Sequence, residues 1–329
     1  MNRLSIGKLR GLQQLADDRG ILTICAIDHR GALKRALNGK DPNAVSYQDM
    51  VDFKIDLCRA MAPLASAVLL DPLYGAAQAI AAGVLPGHLG LLVSLEKTGY
   101  TGTDSARLTE LLPGWSVKKV KKAGASACKL LIYFRPDSRD TANRQMELVD
   151  RLAGECREED IPLLLEPVSY PLTGEGPEEF ARKKPELVIE TARRLTELPI
   201  DILKTEFPAD IGYEKDESKL LGYCQELNRA SRLPWVLLSA GVSFEVFYRQ
   251  AEIAFQAGAS GFLAGRALWQ EATEIKTRAG RNSFFETTAS DRFKKLAELA
   301  EKLAVPWYEK MGSDGGQFGA VAEGWYQSY

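Results

Sequence analysis

Histidine is nearly absent from this chain of 329 residues: there are two, His29 and His88, well separated. A metal cage built from several histidines is therefore not available within it. Cysteines number five, at 25, 58, 128, 156 and 224. Their count is odd and no two form Cys-x-x-Cys, which fits reduced thiols in a cytoplasmic protein better than a disulfide framework. Neither sign of charge dominates: 42 basic and 44 acidic side chains leave a formal charge of −2. That balance gives no electrostatic footprint for nucleic acid or an acidic membrane. No apolar run approaches the length of about 18 residues that marks a membrane span, and the first twenty residues lack the apolar stretch of a secretory leader. What remains, 45% hydrophobic and 26% charged residues, is ordinary for a soluble globular protein.

Eight short apolar runs recur along the chain: Ile21–Ile27, Ala67–Leu70, Leu89–Leu95, Ala127–Tyr133, Pro162–Leu165, Ile200–Leu203, Trp235–Leu238 and Gly261–Ala264. Each is too short for a helix and is uninterrupted rather than alternating, as expected of parallel strands covered on both faces. Amphipathic stretches such as Tyr47–Met61, Thr141–Glu158, Pro177–Leu195, Glu217–Ser231 and Phe244–Ala257 separate them. Eight such alternations predict a closed (β/α)8 barrel. The Gly-x-Gly-x-x-Gly that would favour an open doubly wound sheet does not occur. Residues 1–329 read as one barrel domain with helical extensions before Ile21 and after Thr287, the latter through Asp291–Leu303. The long connection Lys97–Trp115 reads as a functional loop or lid.

Catalytic groups of a barrel stand at the C-terminal ends of its strands. Those positions hold Asp28-His29-Arg30, Asp71, Glu96-Lys97, Lys129, Glu166, Lys204-Thr205-Glu206, Ser239-Ala240-Gly241 and Gly265-Arg266. Lys204, embedded among apolar residues, either pairs with Glu166, Glu206 or Asp28, or serves as a neutral amine that attacks a carbonyl. Lys129, a second lysine on another strand, is the cationic neighbour that such chemistry uses. Glu166 has the placement of a general acid/base raised by apolar walls, or of a counter-ion to Lys129 or Lys204. Ser239, Gly241, Gly265 and Arg266 together suit a phosphate held by backbone amides at a helix N-terminus. Asp28 could bind hydroxyls, orient a lysine or cap the following helix. His29 could contact sugar oxygen. Arg30, Lys34 and Lys97 are candidates for a second phosphate, each otherwise a solvated charge, and Tyr74 and Tyr100 could line the pocket.

The segment Ala26-Ile27-Asp28-His29-Arg30-Gly31-Ala32-Leu33-Lys34-Arg35 closely resembles the first strand and turn of class I tagatose 1,6-bisphosphate aldolases. The resemblance continues through Leu69–Gly75, Glu96–Tyr100, Trp115–Lys118, Lys129–Leu131, Leu165-Glu166, Leu203–Glu206, Leu238–Val242 and Ala264–Ala267, over roughly residues 10–305. It implies a metal-independent lyase on a (β/α)8 barrel, with no metal or other cofactor. By resemblance Lys204 is the Schiff-base lysine and Glu166 the acid/base. Asp28 and Lys129 are their partners, and Ser239, Gly241, Gly265 and Arg266 hold the phosphate of the dihydroxyacetone phosphate half. The family usually has glutamine at the position of His29 and valine at that of Thr205. A related branch cleaves 6-deoxy-6-sulfofructose 1-phosphate, and Glu166-Pro167-Val168 and Ala259–Ala267 also look like that branch. Glu96–Tyr100 looks more like the tagatose branch. A sugar-phosphate-sensing regulatory protein without turnover is the reading from another class. The expected partner is a small sugar phosphate, with no nucleic acid or membrane, and a homo-oligomer is left open.

Overall fold

The computed structural model describes residues 4–313, 316–318, 320–327 and 329. Its strands are β1 (Leu22–Ala26), β2 (Ala67–Leu70), β3 (Gly90–Ser94), β4 (Thr101–Thr103), β5 (Ala106–Leu108), β6 (Ala127–Tyr133), β7 (Leu163–Val168), β8 (Ile202–Thr205), β9 (Trp235–Leu238) and β10 (Gly261–Ala264). All but β4 and β5 close into one parallel barrel in the order β1-β10-β9-β8-β7-β6-β3-β2. Helices alternate with these strands, among them Tyr47–Met61, Arg139–Glu158, Pro177–Leu195, Glu217–Ala230 and Phe244–Gln256. This is the predicted (β/α)8 barrel, with extra helices at Ile6–Leu15 and Ser290–Leu303.

Strand parity explains both core and site. Leu22, Ile24 and Ala26 of β1 share one buried cluster with Ala67, Leu69, Leu92, Ala127, Leu164, Ile202, Val236 and Leu263. These are alternate residues from every barrel strand, so they fill the interior. Residues of opposite parity, such as Cys25, Val68, Val93, Leu130, Leu165 and Phe262, pack with the surrounding helices. One interior step further toward the C-terminal mouth brings Asp28, Ser94, Lys129, Glu166 and Lys204. Apolar layers thus give way, two residues further along β1, β3, β6, β7 and β8, to a polar and largely charged one.

Two details differ from the sequence reading. The last third of the β6–β8 region runs longer than its apolar residues indicate: β7 continues through Pro167 to Val168 because long β6 offers it partners, Ile132 to Pro167 and Tyr133 to Val168. Correspondingly β8 begins at Ile202 and carries Lys204 inside the strand. The second difference is the connection Lys97–Trp115, which is not plain loop. It contains the antiparallel pair β4–β5, turned over Asp104-Ser105, with Thr103 opposite Ala106. Three-residue strands are too brief for a periodicity to register.

The N-terminal mouth is shut by the helix Ile6–Leu15, whose Leu12 and Leu15 join the interior cluster. Gly11 permits the approach: a Cβ there would stand 2.4 Å from the Ser126 carbonyl oxygen. Lys8 Nζ reaches 2.8 Å to Asp201 Oδ2, both side chains buried, and the same carboxylate accepts a bond from Leu163 N. Breaking a buried pair from one side strands the other charge, at about 3–5 kcal/mol. Lys8→Met should therefore lower unfolding free energy by about 3 kcal/mol in denaturant titration. Lys8→Met/Asp201→Asn, which keeps an acceptor for Leu163, should recover most of that loss.

Candidate active site

Lys129 stands at the centre of the charged layer. Its ammonium lies 2.8 Å from Asp28 Oδ2, 2.7 Å from Glu96 Oε1 and 2.9 Å from Glu166 Oε2. Burial opposes the ammonium, but Asp28, Glu166 and Glu96 together lift its pKa well above the usual lysine value. Lys129 is thus a permanent cation. Lys204 approaches Glu166 from the other side, Nζ to Oε1 at 2.8 Å, with both groups buried. Two ammonium groups therefore flank one carboxylate.

That geometry corrects the expectation that apolar walls raise Glu166. Burial does push it up, but Lys129 and Lys204 more than offset this and hold it below the ordinary glutamate value. Asp28, nearly buried, is pushed up by that burial but held far below its usual value by Lys129, Lys204 and His29. It does not cap the next helix: Gly31–Leu37 starts at Arg30 with no side-chain cap. Glu166 Oε2, although near Lys129, accepts no hydrogen bond, which leaves a position for a proton on a bound molecule.

The rim is polar and incompletely satisfied. Arg30 is buried rather than solvated, with Nη2 3.7 Å from Glu96 Oε1 and Nη1 without a partner. His29 Nδ1, also without a hydrogen bond, is 3.8 Å from Asp28 Oδ1. Its ring meets Trp269 edge-on at 5.1 Å. Gly265 makes room for that ring, since a Cβ would stand 2.7 Å from His29 Cε1. Across the mouth, Gly265 N donates to Ser239 Oγ at 3.4 Å and Arg266 Nη2 donates to the Ala240 carbonyl at 3.3 Å. Gly241 has φ +81°, and a Cβ there would lie 2.5 Å from the Arg266 guanidinium carbon. The four residues expected to form an anion site are brought together, with Arg266 Nε unpartnered. Burial lowers Arg266 from its ordinary value, with Glu166 opposing this and Arg35 adding to it.

Other expectations resolve differently. Glu206 does not pair with Lys204; it accepts bonds from Ser169 N and Oγ, each at 2.7 Å. Lys97 pairs with Glu110 on the surface, and Lys34 lies over the Tyr74 ring. Sequence reasoning named Glu96 only as a strand end and missed its role. The parity Gly90, Leu92, Ser94, Glu96 could have found it. Lys54 was missed altogether. It is fully buried, pairs with Asp71 at 2.6 Å, and donates to the carbonyls of Ile27 and His29, the two residues that flank Asp28. Its signal was a lysine on the apolar face Met50, Phe53, Leu57, Met61. A cavity of about 540 Å³ lies elsewhere, at the N-terminal end beside Gln13, Thr23, Ser66 and His88, and includes none of these groups.

A family model described as DeoC/LacD family aldolase matches residues 22–271. Tagatose 1,6-diphosphate aldolase 1 of Enterococcus faecalis is 37% identical, covering 94% of this chain and all of that protein. Tagatose 1,6-diphosphate aldolase of Listeria monocytogenes is 34% identical, covering 95% and 97%. Among solved structures, a Schiff base forming fructose-1,6-bisphosphate aldolase matches with a TM-score of 0.58 at 22% identity, over 89% of this chain and 99% of the other. The fructose-bisphosphate aldolase of Plasmodium falciparum gives 0.65 at 17%, over 90% and 94%. At such identities the structures speak for the barrel alone.

His29 provides a test of the site's electrostatics. Burial drives its pKa down to about 4, Asp28 acting against this and Arg266, Lys204 and Lys54 with it. The unfolded chain, with a histidine near the usual value of about 6.5, takes up a proton first. Stability is therefore complete above about pH 6.5 and falls as pH drops from there toward 4. Between pH 7.5 and 5 the loss from this residue should be about 2 kcal/mol. His29→Gln should remove that portion of the slope in parallel denaturant titrations; an unchanged slope would mean that His29 is not held neutral.

Proposed function

The chain belongs to the DeoC/LacD aldolase family, and on that premise we propose that it cleaves D-tagatose 1,6-bisphosphate to dihydroxyacetone phosphate and glyceraldehyde 3-phosphate through a Schiff base on Lys204. The observation that carries this reading is the buried sequence Lys204–Glu166–Lys129, with Nζ to Oε1 at 2.8 Å and Oε2 to Nζ at 2.9 Å. It supplies a nucleophile, a proton carrier in contact with it, and a fixed cation for developing negative charge.

Glu166 accepts a proton from the Lys204 ammonium and frees the nitrogen lone pair. The amine adds to the C2 ketone, the nitrogen proton passes to oxygen, and a carbinolamine forms. Glu166 then protonates the C2 hydroxyl, water leaves, and a protonated imine remains. The C3–C4 bond breaks with its electron pair drawn into the imine, while the C4 hydroxyl proton passes to a site carboxylate, Glu166 or Asp28. Glyceraldehyde 3-phosphate departs. The resulting enamine takes a proton at C3, and water hydrolyses the imine to release dihydroxyacetone phosphate. Lys129 holds substrate oxygens and keeps Asp28, Glu96 and Glu166 together. Ser239, Gly241, Gly265 and Arg266 hold the C1 phosphate, and His29 and Arg30 border the sugar oxygens. No step calls for a metal or another cofactor.

The relatives named above favour neither the sulfofructose phosphate reading nor the non-catalytic one. All five cysteines are unpaired and buried, which supports a reducing, cytoplasmic setting; among the described residues no helix is long and apolar enough to cross a membrane.

Incubation with tagatose 1,6-bisphosphate followed by borohydride should leave a reduced adduct on the Lys204 peptide by mass spectrometry. Lys204→Met should lower kcat by roughly 10³-fold or more. An adduct elsewhere, normal turnover by Lys204→Met, or full inhibition by EDTA would overturn the proposal.

A further inference from the structure

We propose that Arg107, held among Tyr100, Tyr133 and Tyr170 on the β4–β5 hairpin, is the binding site for the second, distal anion of the substrate. The inference rests on the reading above, in which Ser239 and Arg266 hold the first. Around the barrel the order β1-β10-β9-β8-β7-β6-β3-β2 places β9 opposite β3 and β10 opposite β6. The Arg266 cluster follows β9 and β10, whereas the hairpin belongs to the connection from β3 to β6. Arg107 and Arg266 therefore lie on opposite sides of the mouth, with Lys129, Glu166 and Lys204 on the layer between. A chain bearing an anion at each end and a ketone near one of them requires that arrangement.

The side chain is built to receive a ligand. Arg107 makes no ion pair among the described residues; its Nε donates only to the Asp104 carbonyl at 3.1 Å. Its guanidinium stands 4.6 Å from the Tyr100 ring centre, 4.8 Å from Tyr170 and 6.0 Å from Tyr133. Aromatic faces hold a guanidinium in place without neutralising it. Tyr133 and Tyr170 continue the interior parities of Lys129 and Glu166, so the cradle sits directly above the charged layer. Tyr133 also feels Arg107 together with Glu96, Lys129 and Glu166. Acidic groups at the cradle are few: Asp104 accepts the Tyr100 hydroxyl at 2.6 Å, and Glu96 is occupied by Lys129 and Arg30.

The hairpin is anchored as a binding element must be. Buried Gln145 donates to the carbonyls of Arg107 and Tyr133 at 3.2 and 3.1 Å, and Arg107 N donates to the Tyr170 hydroxyl at 3.4 Å. At the tip, Ser105 and Thr173 hydroxyls meet at 2.6 Å, tying the hairpin to the loop beyond β7. A phosphate or sulfonate at the far end, C6, of a ketose 1-phosphate would meet a fixed fork of N–H donors here.

The experiment compares a ketose 1,6-bisphosphate with the matching 1-phosphate. In Arg107→Gln, kcat/KM for the bisphosphate should fall roughly 10–100-fold, chiefly through KM, while the 1-phosphate stays within about threefold. Arg107→Lys should lie between. Calorimetric binding of the C2-reduced hexitol bisphosphate and hexitol 1-phosphate should show the same selectivity without any turnover. Equal losses on both ligands, or no loss on either, would overturn the assignment. Selective loss of hexitol bisphosphate binding in a chain that cleaves no ketose phosphate would uphold the subsite and reject the aldolase reading instead.

Discussion

The mouth of this barrel depends on one ammonium group. Asp28, Glu96 and Glu166 come from three different strand ends and are all buried or nearly so. Three carboxylates gathered in a low-dielectric space would repel one another and shed their charge by taking up protons. Lys129 prevents that. It donates to Asp28 and Glu96, holds Glu166 Oε2 as an ion pair, and leaves Glu166 Oε1 turned toward Lys204. With Arg30 against Glu96, the resting charges of the layer balance three to three. Adding a doubly charged ligand therefore disturbs a neutral site, not an anionic one, and its electrostatic welcome comes from cations outside the balance.

Much of this was legible because strand geometry is regular. Lys129, Glu166 and Lys204 are strand residues with apolar neighbours two positions earlier, and a period of two places them on one surface. Their pairing partners were within the set named from sequence. The direction of the Glu166 shift was not, because it depends on whether apolar walls or two ammonium groups dominate at a distance of 3 Å, and that is a matter of contact rather than order. Lys54 escaped notice for a related reason: on a helix, one lysine on an apolar face looks like a snorkelling surface residue until backbone carbonyls are found at its tip. Arg107 was hidden by the brevity of its hairpin, although the connection that carries it stood out by length.

The two ends of the barrel solve opposite problems. At the N-terminal end a helix covers the interior and the buried ion pair of Lys8 with Asp201 is satisfied by a further backbone donor. At the C-terminal end several polar atoms, His29 Nδ1, Arg30 Nη1 and Arg266 Nε among them, are buried without partners. Unmet hydrogen bonds at one mouth and satisfied ones at the other are what distinguish a site from a seal.

The contact between His29 and Gly265 has a consequence for descent. The imidazole occupies the volume that a side chain at 265 would need, so position 265 cannot grow while the ring stays. A lineage that exchanges the ring for a slimmer amide gains slack at 265, and one that fixes a methyl at 265 loses the ring. Two residues far apart in the chain, just beyond the ends of β1 and β10, which are joined edge to edge where the barrel closes, thus set a limit on each other's size.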